Sequence, residues 1–126
     1  MFRRELSRTL EERLREPRSF IQVVMGPRQT GKTTAIKQAV KAAGLPVRVA
    51  SADSAIELGA DWIELEWRQA RNMTELGAKA VLVLDEIQKV AQWSQTVKRL
   101  WDEDSWDDTP LLVILSGPAS LLIGSG

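Results

Sequence analysis

The sequence predicts a three-layer α/β fold in which a parallel sheet of about four strands is flanked by helices. Three observations predict it. Gly26-Pro27-Arg28-Gln29-Thr30-Gly31-Lys32-Thr33 fits the phosphate-binding pattern G-x-x-x-x-G-K-[ST], with a short apolar run before it and a helical stretch after it. Residues 47–51 supply a strand after that helix, so that strand, helix and strand make one parallel unit. Two later runs, 80–84 and 111–115, are apolar at every position, as strands covered on both faces of a parallel sheet are.

At 126 residues the chain is expected to form a single domain over 1–126. A domain of that size buries about two thirds of its unfolded surface without a disulfide or a structural metal. Seventeen basic and seventeen acidic side chains cancel, so no general attraction to nucleic acid or to anionic membranes is expected. The balance hides an asymmetry: residues 1–50 carry eleven Lys or Arg against four acids, and residues 51–126 carry six against thirteen. Cysteine and histidine are both absent, which excludes disulfides, thiol nucleophiles, histidine triads and the usual zinc sites. Catalysis must then use carboxylates, lysine, arginine, hydroxyls and a hard cation. The charged start, Met1-Phe2-Arg3-Arg4-Glu5-Leu6, is not a signal peptide, and no apolar run reaches the length of a membrane span. A soluble, cytoplasmic protein is expected.

Residues 3–16 place Leu6, Leu10 and Leu14 one turn apart among Arg and Glu, which predicts an amphipathic helix laid on the domain and stopped by Pro17. Its arginines are interleaved with Glu5, Glu11, Glu12 and Glu16 at pairing distances, so a solvated face is favoured over a nucleic-acid arm. Residues 20–24 read as the first strand. In the loop that follows, Gly26 and Gly31 let the backbone turn so that its N–H groups meet phosphate oxygens, at the positive end of the helix over 33–43. Lys32 would reach the β- and γ-phosphates of a nucleoside triphosphate, the Thr33 hydroxyl would ligate Mg²⁺, and Thr34 would touch the α-phosphate. Gly44 and Pro46 end this helix before the strand at 47–51.

Asp53 and Ser54 follow that strand and suit a turn or cap, with contact to the nucleotide or to a water as the other reading. Asp61 with Glu64 three positions on predicts the N-terminus of a helix reaching about Asn72, with Trp62, Leu65 and Ala70, or Ile63, Trp67 and Ala70, turned inward. Its tryptophans suit packing better than base stacking, and Gly77 closes the helical region. The apolar strand from residue 80 ends in Asp85-Glu86. The carboxyl ends of strands in an open α/β sheet line one crevice, which would set Asp85 beside Thr33 as a Mg²⁺ ligand, mostly through water. Glu86 would then polarise an attacking water as general base; the other reading of the pair is a helix cap. A helix through about Asp104 is expected to set Val97, Leu100 and Trp101 on one face. The acidic residues over 103–108 read as a solvated loop before the fourth strand, 111–115. Ser116, at the end of that strand, suits either a hydrogen bond to the γ-phosphate or attacking water, or a turn.

Together, Gly26-Pro27-Arg28-Gln29, Gly31-Lys32-Thr33-Thr34, Leu84-Asp85-Glu86-Ile87-Gln88-Lys89-Val90 with Trp93, and Leu115-Ser116-Gly117 resemble a group of prokaryotic AAA+ ATPases. Full-length members of that group join an N-terminal ATPase domain to a C-terminal domain of unknown function. The resemblance spans essentially the whole chain, and the Asp-Glu-Ile-Gln-Lys string is its most specific part. It implies a P-loop NTPase core and ATP/ADP with Mg²⁺ as cofactors; ATP rather than GTP agrees with the absence of an Asn-Lys-x-Asp segment. It also implies phosphate binding by Lys32, Mg²⁺ coordination by Thr33 and Asp85, catalysis by Glu86 and γ-phosphate sensing near Ser116.

The sequence departs from the group in two places. Ser116-Gly117-Pro118-Ala119 stands where the group has Thr-Gly-Ser-Ser, and the chain stops at Gly126, before a fifth strand, an arginine that completes a neighbour's site, and a helical lid. The chain therefore resembles a fragment. In the implied strand order 5-1-4-3-2, one edge of the first strand would be open, so self-association or another protein partner is expected. Without an arginine that can be worth about 10³–10⁵ in rate, turnover would be slow. Three functions fit: an ATPase domain that drives conformational change in attached or partner domains, a nucleotide-dependent switch with little hydrolysis, and a small-molecule or nucleotide kinase.

Overall fold

Runs that are apolar at every position leave no face for water, and the two such runs occupy the middle of the sheet. In the computed structural model, which describes residues 2–26, 31–54 and 59–122, they are β3 (Ala80–Asp85) and β4 (Leu111–Gly117). The outer strands are β1 (Gln22–Met25) and β2 (Val47–Ser51), and the order across the sheet is β1-β4-β3-β2 with every pair parallel. That is the expected order, and the P-loop NTPase core is its architecture.

Among the described residues four helices cover the two faces: α1 (Phe2–Arg15), α2 (Lys32–Ala43), α3 (Ala60–Asn72) and α4 (Trp93–Trp106). Alternation along β3 sends Val81 and Val83 to one face and Leu82 and Leu84 to the other. On the first face Leu10 and Leu14 of α1 and Ile36, Ala39 and Val40 of α2 close over the valines. On the second, Trp62, Ile63 and Trp67 of α3 and Val97 and Leu100 of α4 close over the leucines. Each such aliphatic side chain contributes about 1.5–3 kcal/mol by leaving water. Of the two inward sets considered for α3, the one with Ile63, Trp67 and Ala70 is buried, joined by Trp62, while Leu65 is exposed. The tryptophans pack.

The helix α2 ends as its sequence requires. Gly44 takes a left-handed conformation (φ 72°, ψ 26°), its N–H donates to Lys41 O, and the Leu45 N–H reaches back to Val40 O at 3.4 Å. Both bonds satisfy carbonyls that the helix leaves open, and Pro46 cannot continue it.

Three expectations are corrected. The first strand begins at Gln22, not Phe20, because pairing with β4 starts at Gln22 opposite Ile114 and Phe20 remains in solvent. Asp61 is not the cap of α3: Gly59 holds that place without a side-chain hydrogen bond, and Asp61 sits in the first turn, where a carboxylate still favours the helix dipole. The acidic stretch over 103–108 is not a solvated loop. Its first half is the last turn of α4, and Asp104 is 1% exposed, accepting hydrogen bonds from Trp67 Nε1 and Arg71 Nε, each at 2.7 Å.

Candidate functional site

Parallel strands present their carboxyl ends on one edge of the sheet, and the register here makes that edge a row. Val24 lies opposite Ser116, Ser116 opposite Asp85, and Asp85 opposite Ser51. One step beyond, the Gly26 N–H donates to Gly117 O at 3.1 Å, so the chain enters the phosphate-loop sequence still paired to β4. Pro27, Arg28, Gln29 and Thr30, expected to cradle phosphates, lie outside the described residues.

The chain resumes at Gly31, in a left-handed conformation (φ 81°, ψ 19°) that costs a residue with a Cβ about 1–2 kcal/mol. Gly31 caps α2 with no side chain. The first helical bond runs from Ala35 N–H to Gly31 O at 2.9 Å, which leaves the N–H groups of Lys32, Thr33 and Thr34 without intrahelical partners. No acid occupies the first turn of α2, so the positive end of the helix meets no opposing charge of its own. Lys32 is 2% exposed and donates from Nζ to Gly26 O at 2.6 Å, reaching from the start of α2 back to the end of β1. Thr33 is half-buried and Thr34 exposed.

Across β4, Asp85 is held from two directions. Its Oδ1 accepts the Ser116 hydroxyl at 2.6 Å and the Glu86 N–H at 3.0 Å. Both of these bonds fall on Oδ1. Ser116 is fully buried, and its hydroxyl is directed at Asp85.

Glu86 turns the chain sharply. Its backbone is left-handed (φ 55°, ψ 39°), uncommon outside glycine, and its carbonyl accepts the Lys89 N–H at 3.1 Å in a 3₁₀ turn over Ile87–Lys89. Ile87 and Val90 anchor that turn in the core, and the Glu86 side chain is almost fully buried. Lys89 Nζ lies 3.9 Å from Glu86 Oε1 and also forms an ion pair with Asp53 Oδ1. Asp53 sits in the 3₁₀ turn Ala52–Ser54 at the end of β2, so the turn reading of that residue stands, with an ion pair added. Sequence reasoning gave Lys89 no role. The available signal was its place three residues after Glu86, the spacing that turns a side chain back toward the turn's start.

The described residues thus bring together Gly26, Gly31 and Lys32 on the β1–α2 side, and Ser116, Asp85, Glu86, Lys89 and Asp53 on the other. No cluster of three or more His, Cys, Asp or Glu able to hold a metal occurs among the described residues. This donor set suits Mg²⁺, which keeps several waters and takes one or two protein ligands together with substrate phosphates. Among the described residues no helix is long and apolar enough to cross a membrane. A family model for an AAA domain matches residues 18–126. Comparison with curated proteins found no match.

Proposed function

The chain belongs to the AAA domain family, and from that premise we propose that it binds ATP with Mg²⁺ and hydrolyses it, driving conformational change in attached or partner domains. One observation carries the reading: a helix N-terminus opened by left-handed Gly31, with no acid in its first turn and a buried Lys32 held at its mouth. Such an end binds phosphate through orphan N–H groups, the helix dipole and a lysine charge acting together.

In this reading Lys32 exchanges its bond to Gly26 O for the β- and γ-phosphate oxygens, a gain because an ammonium binds an anionic oxygen more strongly than a carbonyl. Gly26, Pro27, Arg28, Gln29, Thr30 and Gly31 supply the backbone around the phosphates, and Thr34 adds a contact to the α-phosphate. Thr33 and Asp85 hold Mg²⁺, which when bound neutralises the charge that develops on the phosphoryl oxygens. Ser116 acts through Asp85, holding that carboxylate by its Oδ1. Glu86, buried and held in a tight turn, orients and polarises the attacking water.

Calorimetric titration of ATP and ADP in the presence of Mg²⁺, with phosphate release followed in parallel, tests this. The chain is expected to bind both nucleotides and Lys32→Ala to bind at least tenfold more weakly, since a hydrogen bond to a charged group is worth about 1.5–3 kcal/mol. Equal affinity in the two proteins would overturn the assignment of Lys32. Binding without phosphate release would leave a nucleotide-dependent switch and overturn the hydrolase.

A further inference from the structure

Lys89 stands between two carboxylates from different parts of the chain: Glu86, one turn before it, and Asp53, at the end of β2. From this juxtaposition we propose that Lys89 is a positioning residue for Glu86, braced from the far side by Asp53; this rests on the reading of Glu86 as the group that polarises water.

Three features carry it. The turn that holds both residues is fixed at its base, because Ile87 and Val90 are buried and their backbones are bonded within it. The Glu86 side chain rises from that turn and is almost fully buried. An ammonium 3.9 Å from Oε1 restricts that side chain. A lysine on its own is a poor clamp, since its stem has many rotamers. Here its other contact, to Asp53, removes that freedom and ties the turn after β2 to the turn after β3. The Lys89 and Asp53 side chains are both about one-third exposed, and ion pairs with that much solvent contribute little to stability. The arrangement is therefore better matched to holding a carboxylate in place than to holding the fold together.

The test uses the whole chain with Lys89→Met, Lys89→Arg and Asp53→Asn. In the nucleotide-free protein, Lys89→Met is expected to move the ¹³C signals of the Glu86 and Asp53 carboxylates and leave the distant Glu11 carboxylate in place. In phosphate release, kcat falls roughly 10- to 100-fold in Lys89→Met, while KM and the calorimetric affinity for ATP change less than about twofold, within the error of such assays. Lys89→Arg recovers most of the rate, Asp53→Asn loses part of it, and the double variant Lys89→Met with Asp53→Asn is no slower than Lys89→Met alone. An unchanged kcat, a loss carried by KM, or an arginine variant no better than methionine would overturn the proposal with the ATPase reading intact. Absence of phosphate release from the unaltered chain would instead overturn the reading on which it rests.

Discussion

The two faces of the sheet are laid over the same strands and closed by different physics. Under α1 and α2 the contacts are aliphatic, with Leu10, Leu14, Ile36 and Val40 set against Val81, Val83 and Ile114. Polar groups of α1 stay at the rim, where Arg15 pairs with Glu11 and donates to Ala42 O. Under α3 and α4 a carboxylate enters the core. Asp104 accepts the indole N–H of Trp67 and the guanidinium of Arg71, whose Nη2 also donates to Leu100 O at 3.1 Å. Next to it Arg18 stacks on Trp101, 3.5 Å from the ring centroid, and donates to Leu111 O and Trp101 O. Burial lowers the pKa of the Arg18 guanidinium and the Asp104 charge raises it in opposition; arginine remains protonated throughout the working range. Aliphatic contacts tolerate small slides between helices, whereas a charge with fixed donors accepts one arrangement. The first face therefore supplies burial, and the second also fixes how α3, α4 and the linker after α1 meet.

Replacing the acceptor gives the largest effect expected from this contrast. Asp104→Ala strands the buried Trp67 N–H and removes one of the two carboxylates that hold Arg71, the other being Glu103, and is expected to cost about 3–5 kcal/mol, an unsatisfied buried donor and a lost charged hydrogen bond together, read as a lower denaturant midpoint. Combining it with Trp67→Phe, which removes the stranded donor, should cost less than the two single losses added together. Strict additivity would mean that the carboxylate is not coupled to the indole, and the two faces would then be alike. On the aliphatic face Leu14→Ala is expected to cost about 2–4 kcal/mol from lost burial and the cavity left behind. Paired with a distant substitution on the other face, its effect should add.

The same contrast marks what was legible in the sequence. The strands β3 and β4 announce themselves as continuous apolar runs, and Leu6, Leu10 and Leu14 fix the inward face of α1, because burial follows periodicity and periodicity is local. The candidate site was proposed for a related reason: Gly31-Lys32 and Asp85-Glu86 are short strings of the residue types that phosphate and cation chemistry calls for. Asp104 was not legible. Within Glu103-Asp104-Ser105-Trp106-Asp107-Asp108 nothing distinguishes one carboxylate from the next, and its burial is decided by Trp67 and Arg71, 37 and 33 positions away. Ser116 shows the intermediate case. Its place at the end of β4 could be read from the run before it, but the partner of its hydroxyl depends on the register that sets it opposite Asp85. Lys89 and Asp53 are likewise 36 positions apart and meet only because β2 and β3 are neighbours.

The smallest effect separates the two faces where their helices end. On the first face α2 leaves through Gly44, where a left-handed backbone costs nothing in sterics. On the second, the segment between α3 and β3 demands the same conformation of Leu76 (φ 65°, ψ 20°), whose side chain lies fully in solvent and gains nothing by burial. A left-handed residue with a Cβ carries about 1–2 kcal/mol of strain, and glycine's greater freedom in the unfolded chain takes back about 0.5–1 kcal/mol. Leu76→Gly is therefore expected to stabilise the chain by roughly 0.5–1 kcal/mol, the difference of those two terms, visible as a higher denaturant midpoint with an unchanged slope. A loss of stability would mean that Leu76 makes a contact worth more than its strain, and that this exit, like Asp104, is fixed by a partner rather than by the local backbone.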